Sequence, residues 1–172
     1  MIKELINRIN EKNHFYEKKY SEHIEVIRKL NLELNTYQGI LISINNVIIH
    51  NNIILGIQEI NKHRLAMIYR SYYEPEIWVV NMKNSDIVLC RILISERSNY
   101  IYIHDIYSYG FINQGYGSIA MEYLIKEGKK LNKEYLIGEI SYVDHDHINR
   151  LKHFYKKHGF EIQENGCVKK YL

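Results

Sequence analysis

The sequence predicts an α+β fold: a central, mostly antiparallel sheet flanked by helices and led by an N-terminal helix. Three observations carry that expectation. Residues 1 to about 35 hold no Gly or Pro and are rich in Glu, Lys, Leu and Ile, a helix-forming composition. From about Gly39 to Ser108 the chain turns to Ile, Val, Tyr and Leu, cut by short polar turns, the mark of strands joined in hairpins. Beyond Gly115, helical and strand patterns alternate.

In the first helix, 1–36, Tyr16, Tyr20, Ile24, Ile27, Leu30 and Leu34 recur at three- and four-residue steps and share one face. Ile2, Leu5, Ile6 and Ile9 form an earlier apolar face, with Asn13-His14 a candidate break between the two. Such a face packs on the domain's own sheet or, on the sharper reading, pairs with a partner helix in a homodimer. As read, the seam falls short of the three or four clean heptads of a coiled coil. Candidate strands follow at Gly39–Ile44, Val47–Ile60, Leu65–Tyr73, Ile77–Asn81, Ile87–Ser95 and Tyr100–Tyr107. A helix is predicted over Ser118–Asn132, a strand over Tyr135–Ile140, and a helix over Ile148–His158 ended by Gly159. Phe160–Ile162 and Cys167–Leu172 close the chain as a strand pair around Asn165-Gly166.

At 172 residues the chain has the length of one domain. Apolar residues at 46% and charged residues at 25% exclude wholesale disorder. A net charge of +3 does not by itself argue for nucleic acid or an anionic membrane surface, so neither is expected as a partner. No stretch approaches the ~18 uninterrupted apolar residues of a membrane span. The first residues lack the apolar core of a signal peptide. Two cysteines, Cys90 and Cys167, with no CxxC pair, read as reduced thiols in a cytoplasmic protein.

Chemistry concentrates in the C-terminal half. The run Ile112-Asn113-Gln114-Gly115-Tyr116-Gly117-Ser118 lies between a strand and a helix. The first turn of a helix has unpaired N–H groups and the positive end of the macrodipole, so it suits an anion. Glycine lets a ligand approach the backbone. No Gly-Lys-Ser/Thr follows, which excludes a Walker A loop, and the third glycine of a dinucleotide fingerprint is missing.

About 40 residues downstream stands Phe154-Tyr155-Lys156-Lys157-His158-Gly159-Phe160, a helix ending in FYxxxGF before a strand. With these two motifs in this order, the chain from Ile77 to Leu172 resembles the GNAT superfamily of acyl-CoA-dependent N-acyltransferases. The resemblance implies a sheet splayed between the strand ending at Tyr107 and the strand Leu136–Ile140. The pantetheine arm of acetyl-CoA would lie in that wedge against the backbone of Ile106 and Tyr107. Its pyrophosphate would sit on the loop Ile112, Asn113, Gln114, Gly115, Tyr116, Gly117 and Ser118. The family's usual first loop residue is Arg or Gln, and here it is Ile112. Many members carry an Asn seven residues before the tyrosine. Here Ile148 stands there and Asn149 is one position away, a candidate cofactor contact out of register.

The implied reaction is direct attack of a substrate amine, from a small molecule or a peptide, on the acetyl thioester in a ternary complex. Tyr155 is the candidate acid for the departing thiolate, and the backbone N–H near Tyr107 the candidate oxyanion donor. For the base, Glu139 and Asp105 stand about equal, with His104 beside them. Neighbouring strand residues face opposite sides, so at most one of His104 and Asp105 is expected in the cleft. An acyl-CoA-binding or sensing module with little turnover is the rival reading. Asp144-His145-Asp146-His147 has the residue types of a metal site, but in a loop entering a helix it reads as polar capping, and no metal is expected. Cys90 and the lone Trp78 read as core, and His153 and His158 as helix surface or as partners of the helix dipole at its C-terminus.

Overall fold

The computed structural model describes residues 1–61, 64–140 and 147–172, the side chains of Leu5 and Asn61 excepted. Helix α1 spans Ile2–Ile49. Strands β1 (Ile53–Asn61), β2 (Arg64–Arg70), β3 (Glu76–Asn81), β4 (Asn84–Glu96) and β5 (Tyr100–Tyr107) follow. Helix α2 (Tyr116–Lys130), strand β6 (Tyr135–Glu139), helix α3 (Ile148–Lys157) and strands β7 (Glu161–Ile162) and β8 (Cys167–Tyr171) complete the chain. The strands form one sheet in the order β1-β2-β3-β4-β5-β6-β8-β7. Every pairing is antiparallel except β5 with β6, which is parallel because α2 carries the chain back between them. The expected mixed, mostly antiparallel sheet is present.

The chain divides into two compact units, Met1–Leu41 and Ile42–Leu172. The first is helix alone. The boundary corrects two expectations. There is no break at Asn13-His14, and the helix runs on past residue 36, so Gly39–Ile44 is not a strand and β1 starts only at Ile53. The isoleucine-rich composition suggested strand, but the burial has helical period: Ser43 and Val47, four residues apart, are the buried positions of the last turns. Ser43 Oγ accepts a hydrogen bond from the Ser85 N–H at 3.1 Å, tying those turns to the start of β4.

In the second unit, α2 buries Ile119, Ala120, Met121 and Leu124 in a core with Ile77, Val79, Ile92, Ile101, Ile103 and Leu136 of the sheet. Full burial of a Leu, Ile or Met side chain is worth about 1.5–3 kcal/mol, so this face holds α2 in place. Arg70 of β2 pairs with Glu96 of β4 at 2.5 Å and with Glu127 of α2 at 3.6 Å, and Lys133 reaches Glu96 at 3.0 Å. Trp78 differs from expectation. It is half-buried, stacked on Tyr69 at 6.0 Å, with the Arg91 guanidinium 5.3 Å from its ring. Cys90 is core as expected, and burial pushes its thiol up to about 12.

The feature that positions the site is in β5. Its partners on β4 are Asp105 with Leu93, then Ile103 with Ile94, so His104 is an extra residue, a β-bulge. A bulge bends its strand and sharpens the twist. On the other side, β5 pairs with β6 only from Tyr100 with Tyr135 to Ile103 with Gly138. The sheet therefore parts at the bulge, and His104 to Tyr107 extend without a β6 partner. Gly138 stands at the parting, where an added Cβ would meet Ile103 O at 3.0 Å.

Candidate active site

Two adjoining cavities open where β5 and β6 separate, each of about 220 Å³. The first is bordered by His104, Asp105 and Ile106 of β5, Glu139 and Ile140 after the parting, and His147, Arg150, Leu151 and Tyr155. The second runs from Ile106 and Ser108 past Phe111, Ile112 and Asn113 to Gly117 and Ser118 at the start of α2, and to Phe154 of α3. Ile106, Arg150 and Leu151 border both, so the two cavities are neighbours along one groove wall.

The second cavity ends on a helix N-terminus. Gly115 caps α2 at φ +87°, a left-handed conformation that favours glycine, and no side chain caps the first turn. Its carbonyl accepts the Ile119 N–H at 3.1 Å. The N–H groups of Tyr116, Gly117 and Ser118 precede the first intrahelical bond and have no acceptor within the helix. Asn113 in the same loop holds φ 62°, in the left-handed region. Lys157 donates to Ser118 Oγ at 3.1 Å, which brings an ammonium group beside the same turn. Unpaired N–H groups, the positive helix end and a nearby lysine make an anion cradle. These residues fit a pyrophosphate.

The first cavity gathers the proton-carrying groups. Tyr155 is set by the end of α3. The Phe160 N–H donates to Tyr155 O at 3.0 Å and the Gly159 N–H to Lys156 O at 2.9 Å, with Gly159 at φ +76°. This is a Schellman ending, and the Tyr155 and Phe160 rings meet at 5.2 Å across it. The sequence FYxxxGF is thus a device that fixes the tyrosine. Tyr155 is 5% exposed, and burial, then the charge of Asp105, then Tyr102, pushes its hydroxyl well above the ordinary tyrosine value. It keeps its proton throughout the neutral range, the state a donor needs.

Asp105 accepts the Ile106 N–H at 2.7 Å, and its hydrogen bond and charge also hold the Tyr107 hydroxyl up. Burial first, then the charge of Glu139, raises Tyr102. His104 Nε2 lies 2.6 Å from Ser95 Oγ, and its ring packs on Tyr102 at 4.8 Å. His104 and Asp105 both border the cavity, contrary to strict strand alternation. The bulge at His104 is the reason, because two residues of β5 there oppose one of β4.

Of the residues singled out in the sequence, Tyr155, Asp105, Glu139 and Ile106 meet at the first cavity, and Ile106, Ile112, Asn113, Gly117 and Ser118 at the second. Gln114 and Gly115 are exposed in the loop, and Gly115 enters as the helix cap. Tyr107 and Asn149, both exposed, border neither cavity. The Tyr116 side chain is buried in the core against Phe111, 5.8 Å between rings, which leaves only its N–H for a ligand. Asp144, His145 and Asp146 lie outside the described residues, while His147 borders the first cavity. Sequence reading missed Arg150, Leu151 and Lys157. Counting back one helical turn from Tyr155 finds the first two. A basic residue in the last turn, beside the glycine loop in space, has no local signal.

No family model matches the chain. Over 83 residues, 45% of this chain, it is 38% identical to an uncharacterized protein, YocC, of Bacillus subtilis (strain 168). That match spans about half of the relative, 49% of its length. Solved structures with similar folds include Ard1 from Thermoplasma volcanium, at 18% identity and a TM-score of 0.48 over 59% of this chain and 72% of that one. Arabidopsis thaliana Naa50, in complex with the bisubstrate analogue CoA-Ac-MVNAL, gives 20% identity and a TM-score of 0.45 over 56% and 72% of the two chains. A Bacillus subtilis acetyltransferase in complex with CoA gives 19% and 0.37 over 63% and 76%. The fold assignment rests on the chain's own topology: a mostly antiparallel sheet, a parallel β5–β6 pair that parts at a bulge, a glycine turn opening α2, and α3 ending in a tyrosine held at the parting. This is the arrangement that the sequence resemblance to the GNAT superfamily implies.

Proposed function

We propose that the chain is an N-acetyltransferase that uses acetyl-CoA and acetylates a primary amine by direct attack in a ternary complex. The observation that carries this reading is the pair of adjoining cavities. An anion cradle at the start of α2 leads past Ile106, Arg150 and Leu151 to a cavity that holds Tyr155 with Asp105 and Glu139. Acetyl-CoA, when bound, supplies the activated acyl carbon. The N–H groups of Tyr116, Gly117 and Ser118, with Lys157 and Arg150 nearby, hold the phosphates. Ile106, Leu151 and Phe154 line the path of the pantetheine arm and exclude water from it. Either Asp105 or Glu139 is the proton acceptor for the incoming ammonium group. Tyr155 holds a proton at Oη for the departing sulfur. Transfer by a proton donor so placed is typically worth about 10²–10⁴-fold.

The test begins with the cofactor. Saturating acetyl-CoA at about 100 times its Kd is expected to add ~2.7 kcal/mol to the stability of the second unit. A thiol-release assay over polyamines, amino sugars, amino acids and peptide amines then identifies the acceptor. An unmoved melting temperature with acetyl-CoA and CoA refutes the reading at its base. A clear shift without thiol release from any amine favours a binding module.

A further inference from the structure

The helix α1 is longer than its use in the sheet-bearing unit requires. Only its last two turns, with Ser43 and Val47, are buried. The first unit, Met1–Leu41, is a single continuous helix, unbroken at Asn13-His14. That continuity joins two short apolar faces into one seam. Positions at alternating steps of four and three from Ile2 to Leu41 are apolar except Asn13 and His23, with Ile24 apolar beside His23. In heptad terms, the a positions are Ile6, Asn13, Tyr20, Ile27, Leu34 and Leu41. The d positions are Ile2, Ile9, Tyr16, His23, Leu30 and Tyr37. Each apolar residue of the seam is at least half exposed, from Ile6 and Ile9 at 50% to Ile2 at 77%. A repeat of 3.5 residues drifts around a straight helix of 3.6, and stays on one side only if the helix supercoils around another. A surface that merely packed on a sheet has no need of that strict period.

We infer that α1 pairs with α1 of a second copy of this chain in a parallel, in-register, two-stranded coiled coil. This inference does not rest on the acetyltransferase reading. Two features select an identical partner in this register. The seam carries two polar layers, Asn13 at a and His23 at d. An in-register copy sets Asn13 against Asn13 and His23 against His23, so each polar group meets a polar group. A single Asn at an a position is a known device for fixing register and two-strandedness. Charge supplies the second argument. In a parallel pair, residue g of one helix faces residue e of the next heptad on the other. That sets Lys12 against Glu17, twice by symmetry. The antiparallel alignment that matches Asn13 with His23 instead brings Lys19 against Lys19 and Glu17 against Glu17.

Sedimentation of the 172-residue chain from low to high micromolar concentration is expected to give the mass of two chains. A double variant, Ile27→Asp with Leu34→Asp, is expected to sediment as one chain while the sheet-bearing unit keeps its own cooperative melt. Orientation is read with Asn13→Cys. Mild oxidation is expected to yield a covalent dimer on a non-reducing gel, which the natural chain with only Cys90 and Cys167 does not form under the same conditions. A monomer throughout the range, a trimer or larger species, or a double variant that remains dimeric overturns the inference. A dimer of Asn13→Cys that does not cross-link overturns the parallel register.

Discussion

The two halves of β5 have the same length and opposite fates. Tyr100–Ile103 is paired on both sides, and Ile101 and Ile103 are essentially inaccessible. In His104–Tyr107 the last three residues pair with β4 alone, and His104, Asp105 and Ile106 border the groove. One inserted residue separates a stretch that stores stability from a stretch that exposes chemistry. A paired strand satisfies its backbone and can offer only side chains to a core. A parted strand leaves N–H and C=O groups facing a cavity, where a ligand can take the place of the missing strand.

The sharpest way to break this comparison is to exchange the expected costs. Ile103→Ala removes buried methyl groups beside Gly138 and is expected to cost about 2–5 kcal/mol in urea unfolding. Acetyl-CoA affinity of the folded fraction should be unchanged. Asp105→Asn, two residues along, is expected to leave stability nearly unmoved and to slow turnover. Equal destabilisation by both variants would show that the parted half is core as well.

The next effect falls on the cradle facing the parted half. Gly117 lies at the N-terminus of α2, and a Cβ there would touch only the Phe154 ring, at 3.5 Å, so a side chain is tolerated by the fold. Glu at this position adds a negative charge where the helix end favours phosphate. Gly117→Glu is expected to weaken acetyl-CoA by about 10²-fold or more with an unchanged circular dichroism spectrum. Calorimetric titration decides, and undiminished binding would reduce Gly117 to a turn residue.

Tyr155→Phe tests whether the groove does chemistry or only binds. The ring contacts to Phe154 and Phe160 survive, at 5.7 and 5.2 Å between centroids. If the hydroxyl gives its proton to the leaving sulfur, kcat is expected to fall by about 10² while cofactor affinity holds. A hydroxyl that merely fills the core would cost about 1 kcal/mol of stability and leave kcat alone. The same reasoning separates Glu139 from Asp105. The true base gives a variant whose loss is relieved as pH rises and free amine accumulates.

What could be read in the sequence, and what could not, follows the range of the forces involved. Gly115, Gly159 and Asn165-Gly166 are local turn chemistry, and the elements they bound lie within about two residues of expectation. The FYxxxGF ending is also local, so Tyr155 was found. The bulge at His104 is a property of two strands at once, and nothing in Ile103-His104-Asp105 announces it. The end of α1 is hidden from the sequence for a related reason. Ile40, Ile42, Ile44, Ile48 and Ile49 have the composition of a strand, and only burial of Ser43 and Val47 with helical spacing settles their state. Lys157 reached the cradle through tertiary packing alone.

The smallest expected effect concerns His158, at the far end of the helix that walls the groove. Rather than lying free on the helix surface, its ring is half-buried against Phe154 at 4.8 Å, and its Nε2 is buried with no hydrogen-bond partner among the described residues. Burial, then Lys157, opposed by Glu122 and joined by Lys170, holds its imidazole below the ordinary value. In the unfolded chain the same group titrates near 6.5, so between the two values the unfolded state binds more protons. Its contribution to stability is therefore complete above about pH 6.5 and is lost as the pH falls through that value toward the folded one. The apolar packing of Ile101 and Ile103 has no such dependence. His158→Phe keeps a ring against Phe154 and removes the titration. Urea unfolding at about pH 7.5 and 5.5 is expected to show a smaller drop for this variant than for the natural chain. Because Phe154 borders the cofactor cavity, acetyl-CoA affinity in the natural chain should weaken over the same interval and in the variant should not. Parallel pH profiles for the two proteins would mean that His158 stays neutral, or is paired in both states, and that the wall of the parted half is as insensitive to pH as the closed one.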